Sequence, residues 1–428
     1  MKNLLVIANL NHASPRMPGI MPHLPAGGWR AHIVTPQFPA NAPGVSDFFR
    51  AQCPLIDAPY AGDALMFWRR LLMRRGFKSG SSMTEQLAAR MPQGKSSLAG
   101  TLVQWYQALF TYPDAESTWI RPAVEAALAA AQNTRFDAVL STAPYSSSHY
   151  AALCVKKQLD LPWVADLRDL WTRNHNYPFF APRKALDSFC ERRLFAQADA
   201  VVTTSPDWAR TQSAFLGRPV RSITNGYEPP RTPQPPADRK FSIVYTGPVY
   251  QGKQDPEPVM AALASLFSKK LLDPAKVSLD FFGQQRAFLS ELVRRHGLES
   301  VTAQHGPVPH AESVLRQRSA QVLLFLQWEA SRKGVYTTKL FEYLAARRPI
   351  LATGAYSPEG PSDIIRATNS GALAETAADA ERILLEFYNA YLASGSVPYG
   401  GLPEKMRAFE YPQLALDYAA LLDGLGGK

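Results

Sequence analysis

The sequence has little cysteine: Cys53, Cys154 and Cys190 are the only three in 428 residues. Their odd number, with no CxxC and no paired Cys/His spacing, supports neither a disulfide framework nor a zinc centre, and buried, inert thiols are expected. Long hydrophobic runs are missing too; none reaches the ~18 to 20 apolar residues of a membrane span. The opening MKNLLVIANLNH reads as a short buried strand, and its apolar part, interrupted by Asn9 and Asn11, is too short for a signal peptide, so a cytoplasmic protein is expected. HExxH, a nucleophile elbow, GxGxxG after the first strand and GxxxxGK[ST] are all absent. Metalloprotease, serine hydrolase, dehydrogenase and P-loop NTPase readings lose their support with them. Acidic residues fall short of basic ones, which leaves a formal charge of +10. Such a balance favours an anionic partner, and phosphorylated small molecules or an anionic membrane surface fit it. The basic residues are dispersed and no nucleic-acid module is present, so nucleic acid is not the expected partner.

What is present is alternation. Short apolar runs separated by segments of helical period mark a parallel sheet flanked by helices. In the first half the runs are NLLVIA (3–8), RAHIVT (30–35), PLIDA (54–58), FDAVLST (136–142), WVADL (163–167), AVVTT (200–204) and VRSIT (220–224). The segment EPPRTPQPPADRK, 228–240, carries five prolines and reads as a hinge or linker. Alternation then resumes with FSIVYTG (241–247), VSLDFFG (277–283), VTAQHG (301–306), QVLLFLQ (321–327) and PILATG (349–354). Two doubly wound α/β domains joined by that linker are expected, with ligands outside the carboxyl ends of the strands. Between 60 and 125 the pattern lapses. The segment 64–78, ALMFWRRLLMRRGFK, sets Phe67, Trp68, Leu71 and Leu72 on one helical side and Arg69, Arg70 and Arg74 mostly opposite, with Arg75 among the apolar residues. A basic, aromatic-bearing helix of this kind suits either a membrane interface or a packed surface position. The stretch 78–97 reads as a loop around a short helix.

Several polar clusters sit where ligands bind. TGPVYQGK, Thr246 to Lys253, links a strand to a helix; its glycines admit a ligand close to the backbone and Lys253 supplies a cation for a diphosphate, although a plain turn explains it equally well. In YTTKLFEYLAARRPIL, Lys339 and Glu342 share a helical face near a helix start. Free backbone N–H groups there suit phosphate oxygens, and Glu342 one turn on suits a ribose diol; a threonine cap with a Lys/Glu pair is the plainer alternative. DLRDLW places Asp166, Arg168 and Asp169 at a strand end, as an internal network or as substrate contacts of Arg168 or Asp169. His149, in SSSHYAA, is a candidate acid, base or hydroxyl ligand, or a structural histidine. These four are the catalytic candidates.

Together these residues resemble the retaining nucleotide-sugar glycosyltransferases of family 4, closest to the bacterial surface-polysaccharide branch. PRMPGIMPHLPAGGWRAHIVTP, YPDAESTWIRPA, LPWVADLRDLW, ADAVVTTSP, ITNGYE, IVYTGPVYQGK and TTKLFEYLAARRPIL occur in that family's order. The resemblance implies the GT-B architecture, two Rossmann-like domains facing a central cleft. Its domains would be 1–227 on the acceptor side and 241–405 on the nucleotide-sugar side, with 406–428 a helix packing back on the first. It also implies that Gly247 and Lys253 meet the donor diphosphate, that Lys339 lies beside the phosphates or donor sugar, that Glu342 holds the ribose hydroxyls and that Gly283 sits near the base. Arg16 and Gly19 would line a loop facing the phosphates. The implied partners are a nucleotide-sugar donor and a lipid-linked or saccharide acceptor, without a metal and without a covalent protein intermediate. Many members carry a Glu-x7-Glu pair, and here Gly334 stands eight before Glu342, so the first carboxylate is missing. An epimerase or hydrolase of nucleotide sugars on the same architecture, and a non-catalytic adaptor, are the rival readings.

Overall fold

The computed structural model describes residues 1–10, 15–36, 47–60, 111–329 and 333–425. The expected helix over 64–78 and the loop over 78–97 lie outside them. Contacts divide the chain into two compact units: residues 1–204, 209–223 and 415–428 form the first, and 205–208 with 224–414 the second.

In the first unit, β1 (Lys2–Ile7), β2 (Trp29–Pro36), β3 (Leu55–Ala58), β4 (Ala138–Thr142), β5 (Trp163–Leu167), β6 (Ala200–Thr203) and β7 (Arg221–Ser222) make a seven-stranded sheet ordered β3-β2-β1-β4-β5-β6-β7. Every pairing in it is parallel. β4 and β5 are buried along their whole length, which is why they read as unbroken apolar runs rather than as alternation. The end of the chain belongs to this unit from Ala415 on. Gly27 makes room for it, because a Cβ at 27 would come 2.4 Å from that of Ala419.

In the second unit, β8 (Phe241–Thr246), β9 (Val277–Phe282), β10 (Thr302–Gly306), β11 (Val322–Leu326), β12 (Ile350–Thr353) and β13 (Gly371–Ala374) form a six-stranded parallel sheet ordered β10-β9-β8-β11-β12-β13. One face carries Ile243, Tyr245, Leu279 and Leu324 under helices Glu257–Ser268 and Ala377–Ser394. The other carries Val244, Leu323 and Phe325 under helix Thr338–Ala346. Helix Ala377–Ser394 starts at a capping box, with Thr376 Oγ1 accepting from the Asp379 amide at 3.1 Å, and ends at Gly395 with φ +76°.

The order reverses between β8 and β11, so the carboxyl end of β8 lies at this sheet's switch point, where such sheets bind ligands. The proline segment is tied to this unit rather than left free. Gln234 Nε2 donates to the carbonyls of Arg318 and Ala346, and Arg348 Nη2 donates to that of Pro235.

Candidate functional site

The carboxyl ends of β8 and β9 meet at two glycines. The Gly247 amide donates to Phe282 O at 2.6 Å, and a Cβ on Gly283 would stand 2.3 Å from Gly247 O. Gly247 has φ +94°, a conformation that side chains with a Cβ seldom adopt. Gly283→Ala is therefore expected to cost about 1–3 kcal/mol, read as a fall in unfolding midpoint, because the loop carrying Gly247 must move to clear the methyl group.

Against Gly247 lies Lys339. A Cβ at 247 would be 3.3 Å from its Cε and 3.4 Å from its Nζ. The ammonium sits 3.6 Å from the centre of the Tyr245 ring. Burial drops the Lys339 pKa from 10.5 to about 7, and only the nearby Glu342 charge opposes that fall. No hydrogen bond or ion pair ties the ammonium to protein among the described residues. Lys339 is in the first turn of helix Thr338–Ala346, whose cap residue Thr337 makes no side-chain cap bond. The Thr337 hydroxyl is instead buried without a partner. A half-buried cation in the first turn of a helix without a side-chain cap thus stands against a glycine turn, and a cation beside free helix N–H groups suits an oxyanion.

Glu342 is one turn further on. It accepts from Gln317 Nε2 at 3.2 Å and faces His310 Nε2 at 3.5 Å. Its hydrogen bond and charge raise the pKa of His310. Gln317 also donates to Thr246 Oγ1 at 3.0 Å, and the Thr246 amide donates to the Tyr343 hydroxyl at 3.0 Å. Helix Thr338–Ala346 is thereby locked to the end of β8. His310, Gln317 and Tyr343 were not among the residues expected from sequence. Gln317 lies on the polar helix His310–Ser319 and carries no sequence signal of its own.

The structure brings Gly247, Gly283, Lys339 and Glu342 together. Lys253 is placed over the rings of Tyr250 and Trp328, 5.9 and 5.4 Å from their centres. Gly334, at the position where the resemblance expects a first glutamate, has φ +78°, and a Cβ there would come 2.3 Å from Trp208 Cδ1. Its carbonyl accepts from Ser205 Oγ at 2.8 Å.

The first unit corrects several expectations. The Arg16 guanidinium is fully enclosed and donates to Ile223 O and the Tyr418 hydroxyl, each at 2.7 Å, and to Asp166 Oδ1 at 3.3 Å. It has no surface to offer a phosphate. Gly19 lies within helix Arg16–Ile20, its amide spent on Pro15 O. Asp166, wholly buried in β5, also accepts from Thr142 Oγ1 and from Tyr418, so it organises the core rather than meeting substrate. His149 is 2% exposed, packed on Phe195 and Trp163, with Nδ1 2.8 Å from Ser141 Oγ. Burial pushes its pKa down to about 3, so it is a neutral core histidine and not an acid or base. Arg168 and Asp169 pair with each other at 2.7 Å and remain partly exposed at the end of β5.

Solved structures share this architecture. The chain aligns over 99% of its length with 99% of sucrose-phosphate synthase from Thermosynechococcus elongatus, at TM-score 0.55 and 14% identity. It aligns over 99% with all of Anabaena HepE, solved with UDP and glucose, at TM-score 0.58 and 13% identity. All of it aligns with all of Staphylococcus aureus TarM, a mutant solved with fondaparinux, alpha-GlcNAc-glycerol and UDP, at TM-score 0.56 and 8% identity. These likenesses show the GT-B fold. Among curated proteins, none matches the sequence. The family model described as glycosyl transferase 4-like domain matches residues 13–226, half of the chain, and the protein belongs to that family.

Proposed function

We propose that this protein is a retaining glycosyltransferase that moves a sugar from a nucleoside diphosphate donor to a saccharide or lipid-linked acceptor during synthesis of a bacterial surface polysaccharide. The observation that carries the reading is the Lys339 ammonium, held against Gly247 at an uncapped helix start with no protein acceptor among the described residues. Cleaving a glycosyl phosphate builds negative charge on the departing diphosphate. A fixed cation and N–H dipoles aimed at that charge stabilise the transition state more than the ground state. The acceptor hydroxyl attacks the anomeric carbon as the bond to phosphate breaks, and its proton passes to the leaving phosphate oxygen on the same face. Glu342, which already accepts from Gln317, keeps lone pairs for the ribose hydroxyls. Arg168 and Asp169 are the first unit's candidates for the acceptor.

UDP-sugars are the donors to try first, since the Anabaena HepE and S. aureus TarM structures contain UDP. No helix among the described residues is long and apolar enough to cross a membrane, so a lipid-linked acceptor would be met at the membrane surface. The test is nucleotide release from a panel of UDP-sugars with and without saccharide acceptors, with the product's anomeric configuration read by NMR. Acceptor-dependent release with a retained anomer supports the proposal. Release that ignores acceptor indicates a hydrolase, and an inverted anomer removes the retaining assignment.

Donor affinity should also depend on pH. Lys339 carries its proton below a pKa of about 7 and loses it above. A bound diphosphate favours the charged form, so donor binding takes up a proton in alkaline solution. Affinity should be flat below about pH 7 and fall by up to about tenfold per pH unit above it. Calorimetry across that range checks this, and Lys339→Arg should abolish the dependence because its guanidinium stays charged.

A further inference from the structure

A second concave site lies within the second unit, at the other end of helix Thr338–Ala346 from the oxyanion site. It has a volume of about 340 Å³ and is lined by Tyr227, Arg347, Tyr399, Arg407 and Glu410, with Gly401 in its wall. That size falls in the range of small-molecule sites, about 300–1,000 Å³. Two adjacent arginines behave differently here. Arg348 donates to the carbonyls of Arg318 and Pro235 at 2.7 and 2.9 Å. The side chain of Arg347, like that of Arg407 in the same lining, has no hydrogen-bond or ion-pair partner among the described residues. Arg347 also stands at the helix end with φ 52° and ψ 47°, the left-handed conformation that glycine takes without steric cost and other residues avoid. An arginine kept in the place of a glycine points to a use for its side chain. Tyr399 is laid across Gly401, where a Cβ would come 2.3 Å from its Cζ, and its hydroxyl meets Met406 Sδ at 3.3 Å. The ring is therefore a fixed wall.

We propose that this cleft is a second carbohydrate site for a carboxylate-bearing saccharide, with the sugar's carboxylate between Arg347 and Arg407, its ring against Tyr399 and its hydroxyls on Glu410. Glu410 favours a hydroxyl-rich ligand over a bare anion, since its own charge repels a simple phosphate. The site is separate from the donor reading and its test needs no nucleotide.

The test titrates the full chain with a tetrasaccharide alternating glucuronic acid and N-acetylglucosamine, with the neutral N-acetylglucosamine tetramer, and with inorganic phosphate. The acidic tetrasaccharide should bind at least tenfold more tightly than the neutral one, and phosphate should not displace it. Arg347→Gly and Arg407→Ala should each weaken it at least tenfold. Arg382→Ala, which removes an exposed cation paired with Glu386, should leave it unchanged and so controls for net charge. Arg347→Gly should keep or raise the melting temperature. No binding, binding that survives Arg347→Gly, displacement by phosphate, or equal losses in Arg382→Ala would each overturn the proposal. A fall in melting temperature in Arg347→Gly with unchanged binding would assign Arg347 to the helix dipole instead.

Discussion

Asp166→Ala is expected to destabilise the protein by about 3–5 kcal/mol, measured by urea unfolding followed by circular dichroism. Asp166 is wholly buried and accepts from Thr142, Arg16 and Tyr418. Removing its carboxylate leaves the enclosed Arg16 guanidinium without its counter-ion, the Tyr418 hydroxyl without its acceptor and the Thr142 hydroxyl with only the Ala143 carbonyl at 3.3 Å. The penalty comes from uncompensated desolvation rather than from the modest net value of the pair. Tyr418 is in the last helix, Tyr411–Asp423, so the loss also loosens the chain's return to the first unit. Asp169→Ala, three residues on, is the control. Its carboxylate is 40% exposed and, among the described residues, pairs with Arg168 alone, so its loss should cost less than about 1 kcal/mol. Equal unfolding curves for wild type and Asp166→Ala would remove the buried network from the account.

Lys339→Met should do the reverse, lowering kcat/KM about 10²–10³-fold while leaving stability unchanged or raised. Methionine keeps an apolar stem over Tyr245 and removes the charge. The sign of the stability effect follows from the pKa shift. Lys339 titrates near 7 folded and near 10.5 unfolded, so the unfolded chain holds the proton more firmly. The folded protein bears the full cost of the buried charge below pH 7, and that cost fades as pH rises towards the unfolded value. Deleting the charge at neutral pH therefore relieves the fold while removing the cation that the proposed function assigns to the leaving group. Thermal melts beside steady-state rates separate the two. A variant that lost stability and rate in proportion would show Lys339 to be a packing residue.

Most of the fold was readable because strands buried on both faces leave continuous apolar runs. WVADL is β5 to the residue, and the runs at 241–247 and 277–283 each overrun β8 and β9 by one glycine, the residues that form the turn. β13 escaped notice because GALA is short, partly exposed at the sheet edge and has no β-branched residue. Its one mark is Gly371, where a Cβ would come 1.9 Å from Ile350 O, a constraint visible only once β12 is beside it. The candidate site divides in the same way. Gly247, Lys339 and Glu342 were legible because a glycine turn after a strand and a polar helix start are local patterns. Gln317 joins them through tertiary packing, and no local pattern marks it. His149 and Asp166 look reactive in sequence because residue type and strand-end position suggest chemistry. Burial decides otherwise, since His149 faces Phe195 and Asp166 faces Arg16.

The most direct test is a calorimetric titration of UDP into wild-type protein and Lys339→Met at about pH 7, with melting temperatures recorded on the same samples. One equivalent of UDP should bind the wild type, and the variant should bind at least about tenfold more weakly without a lower melting temperature. Equal affinity in both proteins, or no binding to a well-folded wild type, would contradict a donor site built on Lys339 and Gly247.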